Sequence, residues 1–231
     1  MALTRVESIA GLPLYYDRFN GTSYGRHAVA MRPFIDNDFL HQCTACFSGM
    51  QAVLSKHGLE IGQIWSGGVG RSGAGVSYHH RNRAFDLDAL IFTDGSRWVA
   101  DTFPARPFLY LAIEALLRLH FGTVLNHDYN QAHRDHLHFD NGTAPRFKRD
   151  ARSHTLFVQH ALVKLFNQSV GEAGADGVFG PETEQALNRV RRNLGIGSFG
   201  DKANWFAFLQ ETADAALRYE RSIVDAPDLV A

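Results

Sequence analysis

Two cysteines in 231 residues are too few for a cysteine-rich metal site, because Cys43 and Cys46 would form only half of one and nothing supplies the rest. No apolar run approaches the length needed to cross a bilayer, so membrane insertion is not expected. The opening residues, Met1 to Glu7, lack the basic-then-apolar pattern of a classical secretory signal. Charge of one sign is also missing: the formal net charge is -1, which argues against a general nucleic-acid binder. A hydrophobic content of 45% with 20% charged residues excludes disorder and leaves one large or two small globular domains.

Histidine, by contrast, is plentiful, with 12 copies. His79 and Asp86 lie in Ser77-Tyr78-His79-His80-Arg81-Asn82-Arg83-Ala84-Phe85-Asp86, and His138 lies in Asp135-His136-Leu137-His138-Phe139-Asp140. Two imidazoles and a carboxylate are the ligand set of a catalytic zinc that keeps its fourth position for water. Asp135, three residues before His138, is placed to act as a general base. A chance His-x-His pair is the competing reading. His80, His127 and His133 are further candidates, and His133 with His136 would suit a metal only on a helix. His136 would stabilise an oxyanion, orient a ligand or simply pack. Arg71, in a Gly-rich loop, is either a solvated residue or a fork for a substrate carboxylate or carbonyl.

Periodicity predicts a helix over 36–57 closed by Gly58, with Cys43 and Cys46 on its core face or acting as a redox pair. It predicts a strand over 61–65 and a loop over 67–75. Another strand spans 84–92, with Phe85, Leu87, Ala89 and Ile91 inward and Asp86 and Asp88 on a wet face. A helix over 107–120 with one apolar stripe follows, then strands at 123–125 and 137–139. Residues up to about Pro33 read as short strands and loops. A basic, polar linker covers 145–153, and three helical patterns follow at 154–168, 181–194 and 201–218. The expected fold class is therefore α+β: a small antiparallel sheet with flanking helices carrying the zinc site over 1–146, then a three-helix bundle over 154–220. In the loop Asp176-Gly177-Val178-Phe179-Gly180-Pro181, Gly177 and Gly180 permit positive backbone angles. Pro181 presets a helix, and Val178 and Phe179 are expected to tuck under the bundle.

The first constellation resembles the Ser-x-His-x-x-Gly-x-Ala-x-Asp signature of D-Ala-D-Ala-type zinc peptidases, grouped with lysostaphin-like enzymes and the hedgehog signalling domain. Asp135-His136-x-His138 is similar to their acid-x-x-His motif, in the form of the extensin-like C-terminal branch. The resemblance covers about residues 25–142, and Asn82 stands where the signature has Gly. It implies zinc on His79, Asp86 and His138, Asp135 as base, and cleavage of peptide bonds in peptidoglycan stems, by an endopeptidase or a carboxypeptidase. It also implies an arginine near the substrate, here Arg71. Asp176-Gly177-x-Phe179-Gly180-Pro181-x-Thr183 resembles the peptidoglycan-binding three-helix module over about 154–217, which implies a wall anchor; Val190-Arg191-Arg192 departs from its pattern.

The joint expectation is a zinc-dependent peptidoglycan hydrolase tethered to its polymer and acting in the periplasm or cell wall. Without a visible signal, delivery would come from phage lysis or a secretion system, the latter adding an immunity protein or delivery machinery as partners. The alternatives are a non-catalytic wall-binding protein with a residual metal site, and a hydrolase of free D-Ala-D-Ala dipeptide.

Overall fold

The computed structural model describes residues 2–16 and 28–225, with side chains up to residue 222. The short strands and loops expected before Pro33 therefore lie partly outside the described residues. Among the described residues ten strands and five α-helices follow one another: β1 (Leu3–Arg5), β2 (Ser8–Ile9), β3 (Leu12–Tyr16), β4 (Val29–Ala30), β5 (Phe34–Asp36), α1 (Asn37–Leu54), β6 (Ile61–Gly68), β7 (Ala84–Phe92), β8 (Arg97–Val99), α2 (Pro107–Arg118), β9 (Thr123–Leu125), β10 (Leu137–Asp140), α3 (Arg152–Lys164), α4 (Pro181–Asn193) and α5 (Lys202–Asp225). The chain is mixed α+β. Its main sheet runs β2-β3-β6-β7-β10-β9, with β4 on β3 and β8 on β7, and β1 pairs with β5 apart from it. Every pairing is antiparallel except β3 with β6, which run parallel.

Helix α1 forms where the pattern predicts it. Asp36 caps it by accepting the Phe39 N–H at 3.2 Å. Phe39, Cys43, Cys46, Phe47, Met50 and Leu54 repeat at helical spacing and are buried. The two cysteines are free thiols, and burial pushes both well above the usual thiol range. The helix face meets the odd-numbered side of β7. Phe47 packs on Phe85 with ring centroids 6.1 Å apart, and Phe39 lies 6.1 Å from Phe139.

Three expectations need correction here. The even-numbered side of β7 is not wet: Asp86, Asp88 and Leu90 are all buried. Strand β6 runs on to Gly68, past the expected Trp65, and Asp88 accepts the Gly67 N–H at 2.7 Å. Alternation gave the side of the strand but not what covers it. Likewise α2 shows no single apolar stripe, because every residue from Leu109 to Arg118 is buried.

Helix α2 is enclosed by α1, α3 and α5. Arg118 and Glu114 lie inside this enclosure at 1% and 0% side-chain exposure, 2.7 Å apart. Arg118 Nη2 also donates to Val124 O (3.0 Å) and Ser153 O (2.8 Å), so one guanidinium ties α2 to β9 and α3. Glu114 also accepts from Asn126 Nδ2 at 3.1 Å. Burial raises the pKa of Glu114 and lowers that of Arg118, each opposed by the partner's charge.

Around α3 to α5, Trp205 is ringed by Phe147, Phe157, Phe199 and Phe208. The loop before α4 is held by buried Gln159, which donates to Asp176 Oδ1 (2.9 Å) and accepts the Gly177 N–H (2.8 Å). Gly177 has a positive φ of 78°, but Gly180 has φ -83° and needs no such freedom. Val178 is not tucked under: it is 63% exposed, while Phe179 packs on Phe147. Among the described residues no helix is long and apolar enough to cross a membrane.

Removing one partner of a buried ion pair strands the other charge. Glu114→Ala is expected to lower the unfolding free energy by about 3–5 kcal/mol. Replacing both residues by apolar ones of similar volume should cost much less. Urea unfolding of the two variants checks this; equal losses would contradict it.

Candidate metal centre

The register of β7 against β10 builds the centre. His138 lies directly opposite Asp86, and Phe139 opposite Phe85. Side chains opposite each other in an antiparallel pair share a face. The two phenyl rings therefore stack at 5.2 Å on the core side, and the imidazole and carboxylate meet on the other side. His138 Nδ1 lies 3.0 Å from Asp86 Oδ1.

His79 arrives from a tight turn, a 3-10 helix over Tyr78–Arg81. Ser77 opens it by accepting the His79 N–H at 3.3 Å, and Asn82 closes it in the left-handed region at φ 54°. Asparagine is among the non-glycine residues that best tolerate that conformation, so the turn survives the replacement of glycine. The Arg71 N–H donates to His79 O at 3.1 Å, fastening the preceding loop to the turn. His79 Nε2 then stands 3.1 Å from Asp86 Oδ1 and 3.2 Å from His138 Nδ1.

His79, Asp86 and His138 thus present three donor atoms in a triangle and could hold a metal ion. A triangle of this size fits around one ion at bond lengths of about 2.0–2.2 Å. The other ring nitrogens are engaged so as to leave those atoms for an ion. His79 Nδ1–H donates to Val69 O at 2.8 Å, which leaves Nε2 for the metal. His138 Nε2–H donates to Asp140 Oδ2 at 3.3 Å, which leaves Nδ1. The two imidazoles therefore offer opposite nitrogens. Asp140 has no assigned role in the sequence motif; its place two residues beyond His138 on a strand, hence on the same face, is the sequence signal for it.

The centre lines a cleft of about 550 Å³ with Arg71, Ser77, Tyr78, Leu125, Ala132, His133, Asp135, His136 and Asp140. Asp135 and His136 form a pair, with His136 Nδ1 2.6 Å from Asp135 Oδ1. His136 Nε2 is 3.5 Å from Asp86 Oδ1, outside the compact triangle. Arg71 reaches the cleft with an exposed side chain. His80 and His127 do not line it, and His127 pairs with Asp128 at 2.9 Å. His133 lies in a separate turn over Gln131–His133, so it shares no helix with His136.

Electrostatics follow from this crowding. Burial pushes the Asp86 carboxyl up, but the positive field of His136 and hydrogen bonds from His138 and His79 outweigh it. Asp86 is held well below the usual carboxylate range. Burial lowers His138, but Asp140 and Asp86 outweigh it, raising His138 to about 9. Burial, with His136 and His138 nearby, lowers His133 to about 4.

Residues 67–149 match the model of the family described as extensin-like protein C-terminus. That span contains every residue lining the cleft. No curated protein and no solved structure matches the chain.

A group whose folded pKa is raised stabilises the fold fully below its unfolded value and loses that contribution as pH rises through the folded value. His138 should therefore withdraw stability from the metal-free protein between pH 6.5 and about 9. Metal should bind more tightly over the same interval, because His138 must release its Nδ1 proton. Asp86 acts oppositely, its contribution being lost as pH falls through its lowered pKa. Melting curves in chelator and competitive metal titrations across this range test both statements; a flat pH response would contradict them. Asp140→Ala is expected to weaken metal binding by about 10–100-fold, read in the same titration.

Proposed function

We propose that the protein is a zinc-dependent peptidoglycan hydrolase that cuts amide bonds of stem peptides, with the helices from Arg152 onward holding it on the wall. The observation that carries this is the convergence of three metal-ligand atoms in one cleft beside the carboxylate of Asp135. Two imidazoles and one carboxylate are the donors zinc favours, and three protein ligands leave a position for substrate or water. Zinc bound there would lower the pKa of a water molecule towards neutrality and polarise a carbonyl.

Asp135 takes the proton of the attacking water and returns it to the leaving amine. Its bond to His136 Nδ1 orients that ring, whose Nε2 faces the centre and in protonated form stabilises a developing oxyanion. Arg71, at the rim, forks onto a substrate carboxylate or carbonyl. Val69 O and Asp140 keep the ligand rings in their metal-binding tautomers.

The wall-holding role rests on the likeness of Asp176 to Thr183 to the peptidoglycan-binding module. The loop is well held by Gln159, as a binding feature requires. Beside it a cleft of about 300 Å³ is lined by Phe147, Phe179, Phe199, Asn188 and Arg191. Tethering would raise the local concentration of stem peptides at the metal centre. This reading places the protein's action in the periplasm or cell wall, where the polymer lies.

Purified peptidoglycan incubated with the protein should yield new peptide ends, lost on zinc chelation and restored by zinc. Asp135→Ala should lower turnover by about 10²–10⁴-fold with unchanged metal content. Equal release with and without chelator would refute the metal mechanism, and an active D135A variant would remove Asp135 from the base role.

A further inference from the structure

His133 lines the metal cleft but belongs neither to the ligand triangle nor to the Asp135–His136 pair. Its ring centroid is 5.2 Å from that of His136 and 5.8 Å from that of His138. The ring is half-buried, and the edge-on ring of Tyr129 lies 5.5 Å away.

Its hydrogen bonding determines what it offers. Asn130 Oδ1 accepts the Ala132 N–H at 2.9 Å, so that atom is the amide oxygen. The same oxygen lies 2.7 Å from His133 Nδ1. An oxygen without a hydrogen can only accept, so Nδ1 carries the proton. In the neutral ring Nε2 is then a lone-pair acceptor. Among the described residues no hydrogen-bond partner meets Nε2. Beyond the triangle, Nε2 of the neutral His133 ring is therefore a fixed acceptor on the wall of the cleft.

We infer that His133 accepts a hydrogen bond from a backbone amide N–H of a bound peptide and thereby sets the register of the substrate across the metal centre. This rests on the metal-hydrolase reading and adds a residue that selects for a peptide. An amide N–H is the donor that every residue of a peptide other than an imino acid supplies, and a neutral acceptor suits a neutral donor. A carboxylate, by contrast, has no hydrogen for this nitrogen to accept. His133 is a binding and positioning residue; the proton transfer stays with Asp135.

The experiment compares wild type, His133→Ala and His133→Gln, each with zinc stoichiometry measured, on stem-peptide substrates N-methylated at one amide at a time. Loss of one neutral hydrogen bond is worth about fivefold to tenfold. His133→Ala should raise KM by about that factor with kcat little changed and full zinc. His133→Gln, whose amide oxygen is also an acceptor, should recover most of it. One N-methylated substrate should be equally impaired for wild type and indifferent to His133→Ala.

An active wild type with H133A at wild-type KM, or with H133Q no better than H133A, overturns the inference and leaves the hydrolase reading intact. Loss of zinc from H133A would make His133 a support of the metal and also overturn it. A zinc-replete wild type that cleaves no peptide defeats both.

Discussion

The pairing register of β7 with β10 is the constraint on which the rest depends. One alignment sets Phe139 against Phe85 and His138 against Asp86. A slip of β10 by one residue would send Phe139 to the cleft and His138 to the core. The register is held from the core side, where Phe39, Phe47, Phe85, Phe121 and Phe139 interlock. The hydrophobic effect thus positions a polar centre it does not touch. Burying Asp86 without partners would be prohibitive, and two imidazoles opposite it make the burial tolerable.

A second constraint joins the sheet to the C-terminal helices. Arg118 bonds Glu114 in its own helix, Val124 in β9 and Ser153 in α3. Outside that pair, Arg106 meets Glu220 at 2.7 Å and Phe108 stacks on Tyr219 at 5.1 Å. Strand β9 in turn pairs with β10, so the strand that the guanidinium holds lies next to the one that carries His138. Helices α3 and α5 pack directly against α2.

Much of the centre was legible in the chain. His79, Asp86, His138 and Asp135 stood out because few residue types can hold a metal or carry a proton, and their spacing suited a turn and two strands. The helices over 37–54, 107–118 and 181–193 followed from periodicity, a closing glycine and prolines at two helix starts. The wet face assigned to β7 was an error of kind: periodicity says which residues share a side, and only packing says whether that side is covered. Val178 and Phe179 show the same limit, since neighbours in a loop of two apolar residues went opposite ways. The Asn130–His133 bond is not legible in the sequence, because hydrogen bonds between polar side chains leave no periodic trace.

The sequence by itself determined the inventory: a trio that could hold a metal ion, an acid beside it, a mixed α+β chain and the helical segment that follows. Those properties reside in residue chemistry and local spacing, which do not change when the chain folds. Tertiary structure alone decided which nitrogen each histidine presents, which carboxylate supports it, and that the even side of β7 is buried. Each of these depends on where a distant carbonyl, carboxylate or strand comes to rest, and no local pattern carries that distance.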